Sequence, residues 1–373
     1  MTTLDFLLLA LVAVLLGVEL VTVALCLWRY RSTEVSAPVS QPKFTLLRPV
    51  CGLDRFDAET LESSFLLDYP DYEVIFCAAQ QEDPAVAVLQ GLVAKYPHVP
   101  AQILIGDDRI TGNPKLNNLE KGVQRAVGEW LAMADANLLL PADYFTRILE
   151  VVQADTGLVT SPPIGTRAEN LWGAVEAAFL NSFQARWQIS ADMLGNGFAQ
   201  GKTLCWRRDV LAAAGGLVAL GQDLAEDVAS TKAVRAQGLK VRLVRHPFTQ
   251  PVGRRSFRAV WDRQLRWARV RRDGFLAIFA AEILLGPWLP ALLLLGMGQG
   301  ALVPGLWGLW YLAEWGLARV AGWPHGPRDV AAMVLRDILM PALWAVTWTR
   351  RGFEWRGSAM DRGGSLTPPK AVK

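Results

Sequence analysis

The sequence predicts an α/β domain built on a mostly parallel sheet, carried between segments that enter a membrane. Three observations lead there. Short apolar runs at 44–47, 72–79, 101–105, 129–134 and 157–161 alternate with helical patterns, the rhythm of parallel strands joined by crossover helices. The run 129–134 stops abruptly in Asp135-Ala136-Asn137, a carboxylate and a carboxamide at the end of an apolar strand. Finally, 52% of the 373 residues are hydrophobic and only 20% are charged, a balance that favours membrane insertion over a freely soluble chain.

Taken in order, residues 6–28 are apolar except for Glu19 and Thr22, long enough to cross a bilayer. The run is too long for a cleaved signal peptide and lacks both a basic start and a small-residue cleavage site. Arg29, Arg31 and Lys43 follow, so the positive-inside rule places the next part in the cytosol, after a Ser/Pro/Val linker at 36–42. The expected division is therefore 1–42 for the membrane helix and linker, 43–272 for the α/β domain, and 273–373 for the C-terminal membrane part.

The strand 44–47 runs into a Pro/Gly-punctuated loop, Arg48-Pro49-Val50-Cys51-Gly52-Leu53-Asp54. A helix at 59–67 ends at Asp68-Tyr69-Pro70-Asp71. After the strand 72–79, Gln80-Gln81-Glu82-Asp83-Pro84 opens a helix to Lys95, with Pro84 suited to its first turn. The third strand, 101–105, gives way to a polar loop that opens a helix to Val127. In that loop Lys115 and the helix N-terminus either meet a phosphate or simply connect two elements. In open α/β sheets ligands bind beyond the carboxyl ends of the strands. Asp135 and Asn137 are thus either turn residues or two hard oxygens for a partly hydrated Mg²⁺ or Mn²⁺ beside a diphosphate.

A helix at 142–153 and a strand at 157–161 follow, stopped by Pro162-Pro163-Ile164-Gly165. The helix 170–189 is rich in aromatic residues (Trp172, Phe179, Phe183, Trp187), for internal packing or for contact with the bilayer or a lipid. A strand at 202–207 precedes a helix at 208–214 capped by Gly215-Gly216. Glu226-Asp227 open a helix to Gln237, either as acids matched to its dipole or as a functional pair. The last strand is 240–244, and 254–272 forms a strongly basic helix containing Arg263-Gln264-Leu265-Arg266-Trp267.

The C-terminal part holds apolar runs at 275–298 and 302–320, expected as a membrane hairpin. A fourth run, 330–348, contains Arg336, Asp337 and Pro341. It is expected as a re-entrant or interfacial segment, which keeps Arg350, Arg351 and Arg356 on the cytosolic side. The 15 tryptophans suit an interfacial belt. A net charge of +3 gives no argument for nucleic acid, whereas the basic residues clustered at 242–272 and near 350 adjoin apolar runs, as on a surface facing anionic lipid. Four cysteines without C-x-x-C spacing read as small buried side chains in a reducing compartment, and three scattered histidines argue against a zinc site.

Several of these stretches form one ordered set: the Arg48-Pro49 to Gly52-Leu53-Asp54 loop, Leu67-Asp68-Tyr69-Pro70, Glu82-Asp83-Pro84-Ala85, Asn113-Pro114-Lys115-Leu116-Asn117-Asn118-Leu119, Asp135-Ala136-Asn137, Ala225-Glu226-Asp227 and Arg263-Gln264-Leu265-Arg266-Trp267. In this order the chain resembles the membrane glycosyltransferases of the GT-A fold, a Rossmann-like α/β architecture, and most closely the ceramide glucosyltransferase branch with its bacterial relatives. The resemblance runs from about residue 44 to 272 and into the flanking membrane segments.

It implies an inverting, metal-dependent transfer of a sugar from a UDP-sugar to a membrane lipid hydroxyl, with glucose onto ceramide as the leading pair. Diacylglycerol or a hopanoid as acceptor, and UDP-GlcNAc or UDP-galactose as donor, are the alternatives. By the same resemblance Asp135 and Asn137 hold Mg²⁺ or Mn²⁺ and Asp227 is the base. Arg48, Pro49, Gln80, Glu82, Asp83, Lys115 and Arg263, with Asp135 and Asn137, bind the donor. Glu226 and Trp187 face the acceptor, while Arg266 and Trp267 complete the catalytic set. Two positions depart from the family pattern: Gln80 stands where an acid commonly holds the uridine, and Gln184 where some animal members carry histidine.

The implied location is a multi-pass protein of a bacterial inner membrane with a cytosolic catalytic domain, whose partners are the UDP-sugar, the acceptor lipid and the bilayer. Processive polysaccharide synthases share the acids and the Arg-Trp motif but need more membrane segments. A UDP-binding scaffold on a degenerate transferase fold would be expected to lack Asp135 or Asp227, and both are present.

Overall fold

The computed structural model of the protein describes residues 2–32, 41–223 and 225–349, and the backbone of Phe353–Trp355 and Ser358–Met360. Linker residues 36–40 and the basic residues Arg350, Arg351 and Arg356 lie outside the described residues. The chain divides into two compact units. One comprises Met1–Ser32, Ile164–Met193 and Val252–Arg351, the other Thr33–Pro163, Leu194–Pro251 and Gly352–Lys373.

The strands in chain order are β1 (Phe44–Val50), β2 (Tyr72–Ala78), β3 (Ala101–Ile105), β4 (Trp130–Ala134), β5 (Thr156–Thr160), β6 (Ile164–Ala168), β7 (Thr203–Arg207), β8 (Lys240–Leu243) and β9 (Thr249–Gly253). Seven of them form the sheet of the second unit in the order β3-β2-β1-β4-β7-β5-β8. The pairs β1/β2, β1/β4, β2/β3 and β5/β8 are parallel. β7 runs antiparallel to both its neighbours, β4 and β5, so the sheet is mostly parallel with one reversed strand. The expected α/β class holds.

The apolar continuity of these strands follows from burial on both faces. In β4, Trp130, Ala132 and Ala134 belong to one core layer, with Phe44, Phe76 and Phe145, while Leu131 and Met133 belong to the other, with Leu116, Leu119 and Trp206. The helix Pro114–Arg125 packs closely on that second face. A Cβ at Gly122 would lie 2.7 Å from Cys77 Sγ and 2.9 Å from Leu47 Cδ2, so only glycine permits the approach. Asn118 Nδ2 then donates to the carbonyls of Val50 (3.2 Å) and Cys77 (2.7 Å), tying the helix to the carboxyl ends of β1 and β2.

The other unit is dominated by helices. Thr3–Arg31 and Pro327–Thr347 are each long and apolar enough to cross a membrane, and Leu276–Leu284 with Trp288–Gly296 passes the same test as a pair bent by 50°, a broken span or a re-entrant loop. The protein is membrane-associated. The interruption therefore falls in 276–296, where Gly286 has φ +116° ahead of Pro287, and not in the fourth apolar run, which is one continuous helix through Pro341.

That helix can carry Arg336 and Asp337 because both are satisfied inside the unit. Arg336 Nη2 contacts both Glu314 oxygens at 2.9 and 3.1 Å, its Nε and Nη2 reach Asp337 at 2.9 and 2.8 Å, and its Nη1 donates to Ser182. Nearby, Arg186 pairs with Glu19 of the first helix and donates to Thr22 Oγ1 at 2.6 Å. All five charged side chains of this network are almost inaccessible to solvent. The helix expected at 170–189 is observed as Leu171–Ala178, a wide π-helical stretch Phe179–Ala185, and Arg186–Met193. β6 and β9, outside the large sheet, correspond to no strand expected from the sequence.

Candidate active site

The site is built where β4 and the reversed β7 end side by side. Ala134 pairs with Thr203 in the antiparallel register, and one step further the Asp135 N–H donates to the Lys202 carbonyl at 3.1 Å. Asp135 is thereby held at the end of its strand, directly across from Lys202. The lysine ammonium lies 2.8 Å from Asp135 Oδ2 and 3.1 Å from Asn137 Oδ1, gathering the two oxygens onto one cation.

The other carboxylate oxygen, Oδ1, is 2.7 Å from Lys115 Nζ. Lys115 enters from the first turn of Pro114–Arg125. Asn113 caps that helix by accepting from the backbone N–H groups of Lys115 and Leu116. Lys115 Nζ also contacts Glu226 Oε1 at 2.9 Å and the Gly201 carbonyl at 2.5 Å, while Asn113 Nδ2 reaches Glu226 Oε2 at 3.1 Å. Gly201 is needed here, since a Cβ on it would lie 2.9 Å from Glu226 Oε1. The result is one connected chain of polar groups, from Asn137 through Lys202, Asp135 and Lys115 to Glu226, with Asp227 next to it in sequence.

The electrostatics separate the two aspartates. Burial alone would raise the Asp135 carboxyl, but the ammonium groups of Lys115 and Lys202 outweigh it and hold the group well below the usual carboxylate range. Burial also raises Asp227, and here the neighbouring Glu226 charge adds to the effect, so the carboxyl is pushed up to about 6. One acid is fixed as an anion; the other is poised to take up and release a proton near neutrality.

Arg48 has a different place from the one the sequence suggested. Its side chain is fully buried, and Nη2 donates to the carbonyls of Thr60 (2.9 Å), Ala136 (3.0 Å) and Leu138 (3.1 Å). It pins the backbone on either side of Asn137 from within, and burial lowers its pKa to about 10. Asp83 is likewise engaged: Oδ1 accepts from Ala85 N–H at the helix start and Oδ2 from Gly52 N–H, so it ties the loop after β1 to the helix after β2. Pro49 lies within β1 opposite Cys77, and Gln80 and Glu82 are exposed beyond β2.

A profile of glycosyl transferase family 21 matches residues 8–364, nearly the whole chain. The chain belongs to that family. Among its relatives are ceramide glucosyltransferases 1 and 3 of Caenorhabditis elegans. The first is 25% identical over 240 residues, 64% of this chain and 52% of the relative, and the second 26% identical over 252 residues, 67% of this chain and 55% of the relative. The family 21 chain thus spans about half the length of these relatives. The ceramide glucosyltransferase of Komagataella phaffii is 37% identical over 112 residues, 29% of this chain and 22% of the relative. Among solved structures, the mannosyltransferase PcManGT of Pyrobaculum calidifontis, in complex with GDP-Man and Mn²⁺, is similar with a TM-score of 0.52 at 17% identity. The match covers 91% of this chain and 97% of that one. The shared fold is the GT-A fold.

The remaining residues implied by the resemblance belong to the other unit of the family 21 chain. Arg263 pairs with the buried Glu176 and lies over the Trp267 ring at 5.9 Å. Trp267 packs against Ala177, Leu180 and Val252. Arg266 is partly exposed on the same helix, Phe257–Gly274. Gln184 Nε2 donates to Gln264 Oε1 at 3.3 Å. Trp187 lies half-buried beneath the Arg186 guanidinium at 5.6 Å.

Lys202 escaped the sequence reading altogether. Its only sequence signal is its position at the start of a strand, and it gains meaning once that strand is known to run opposite to β4.

Proposed function

We propose that this chain transfers a hexose from a UDP-sugar to the hydroxyl of a membrane lipid with inversion at the anomeric carbon, glucose onto ceramide being the leading pair. The observation that carries the reading is the single polar chain linking Asp135, Lys115 and Glu226, with Asp227 beside it at the carboxyl ends of the strands. The ceramide glucosyltransferases among the relatives support the lipid acceptor, and the two spanning-length helices support its delivery from a bilayer.

A divalent cation fits the donor set. Asp135 and Asn137 already direct one oxygen each at a common positive charge, that of Lys202, and the Pyrobaculum calidifontis enzyme on this fold was solved with Mn²⁺. Among the described residues no three His, Cys, Asp or Glu side chains gather as a closed cage. An Mg²⁺ or Mn²⁺ bound through one or two protein oxygens, completed by phosphates and water, needs none. Such an ion would neutralise charge on the departing UDP.

The chain's own residues do the rest. Lys115 holds Asp135 and Glu226 in fixed relation. Arg48 acts through the Ala136 and Leu138 carbonyls to keep Asn137 in place, a positioning role. Asp227 accepts the proton of the lipid hydroxyl as its oxygen forms the bond to the anomeric carbon and the bonding pair leaves with UDP. Gln80, Glu82 and Pro49 are assigned to the nucleotide side and Trp187 to the acceptor side; Arg263, Arg266 and Trp267 keep the roles implied by the family pattern. The domain is assigned to the cytosolic face, where UDP-sugars are made.

The test is a radiolabelled UDP-sugar panel on membranes containing the protein, with ceramide, diacylglycerol and a hopanoid as acceptors. Labelled glycolipid from ceramide and UDP-glucose that disappears with Asp227→Asn is the expected result. UDP binding without product on any lipid would overturn the reading.

A further inference from the structure

Lys202 is the one group at the strand ends to which the proposed reaction gives no role, and it sits where a cation is expected. Its ammonium is 2.8 Å from Asp135 Oδ2 and 3.1 Å from Asn137 Oδ1, while Lys115 takes Asp135 Oδ1 at 2.7 Å. Both oxygens assigned to a divalent ion are therefore already engaged, and each Asp135 oxygen bears its own ammonium. Lys115 cannot leave without stranding Glu226 and the Gly201 carbonyl. The Lys202 backbone is fixed by the Asp135 N–H and its own N–H donates to Gln200 Oε1 at 2.7 Å, so movement is left to its four-carbon stem.

We infer that Lys202 is a built-in, displaceable occupant of the cation site, closing it in the absence of donor and transferring its ammonium to the diphosphate when metal and nucleotide enter together. This inference rests on the metal reading of Asp135 and Asn137 given above. The charges favour the exchange only with the nucleotide present. A divalent ion alone would have to expel an ammonium from a carboxylate and remain close to Lys115, whereas a diphosphate brings the negative charge that receives the released lysine. Metal and nucleotide binding are thereby coupled through one side chain, each raising the affinity for the other by the same factor.

The experiment measures free Mn²⁺ by electron paramagnetic resonance with the full chain in detergent, with and without UDP, for the wild type, Lys202→Met, Lys202→Arg and Asp135→Asn. The wild type is expected to bind Mn²⁺ weakly alone and more tightly with UDP. Removing a charge-assisted competitor should tighten Mn²⁺ binding to Lys202→Met without UDP by about ten- to a hundredfold and shrink the gain from UDP, with Lys202→Arg staying near wild type. A thermal melt beside each titration confirms that the variants are folded. Lys202→Met binding Mn²⁺ no more tightly than wild type, in a protein whose Mn²⁺ binding is lost in Asp135→Asn, overturns the Lys202 inference alone. Absence of Mn²⁺ binding to the wild type even with UDP, or undiminished binding by Asp135→Asn, overturns the metal reading and this inference with it.

Discussion

At Asp227 the environment and the proposed chemistry meet in one number. Burial and the Glu226 charge push its carboxyl up to about 6, above the ordinary range for aspartate. The base form is the ionised one, so activity should fall as pH drops through about 6. The acid limb of a kcat/KM profile should lie there and not near 4. Asp227→Asn should lower turnover by roughly a hundredfold or more while leaving UDP binding by calorimetry near wild type, since general-base groups contribute about 10²–10⁴ in rate. Asp135→Ala should instead weaken UDP binding in Mn²⁺, and it should leave Lys115 and Lys202 without their shared carboxylate. At this scale Asp135, Asn137, Lys115, Glu226 and Asp227 were legible because a strand end, a capped helix start and an acidic helix start are local patterns. Arg48 and Asp83 were misplaced for the converse reason. A charged residue in a loop looks ready for a ligand until the fold shows which carbonyls or amides it already serves.

Among the elements, the helix Pro114–Arg125 carries Lys115 to Asp135 only because Gly122 lets it lie against β1 and β2. Gly122→Ala should force the helix outward against Cys77 and Leu47, costing about 1–3 kcal/mol as overpacking does, and should reduce turnover through the displaced Lys115. Denaturant unfolding alongside the glycolipid assay checks both effects. The sheet's rhythm was readable from the period-2 alternation within strands such as β4, but strand direction was not. Nothing local in Thr203–Arg207 distinguishes a reversed strand from a parallel one, so Lys202 stayed invisible. The bend in the C-terminal part was assigned to the run with Arg336, Asp337 and Pro341 because unpaired charges would break a membrane helix. Paired with Glu314 and Ser182, those charges are carried by an uninterrupted helix.

For the whole molecule, the buried network means that the membrane-associated helices are held to one another by ionic contacts as well as by apolar packing. Replacing one partner strands the others: Arg336→Met leaves Glu314 and Asp337 facing each other and should destabilise the unit by about 3–5 kcal/mol. Glu314→Gln with Arg336→Met should recover part of that loss, as the shift in detergent melting temperature of the double variant against each single one would reveal. The first helix belongs to the same construction, since Glu19 pairs with Arg186 and Arg29 contacts Asp192 at 2.7 Å. Removing residues 1–32 should therefore give a protein that aggregates on extraction, and a well-behaved soluble fragment with full activity would contradict this. The π-helical stretch Phe179–Ala185 adds a last consequence. A widened turn is an α-helix that has accepted one surplus residue, so excising a single residue there would restore ordinary winding while turning everything after it by about 100°. Arg186 would then rotate away from Glu19, and a change usually counted as a minor deletion would uncouple the amino-terminal helix from the rest of its unit.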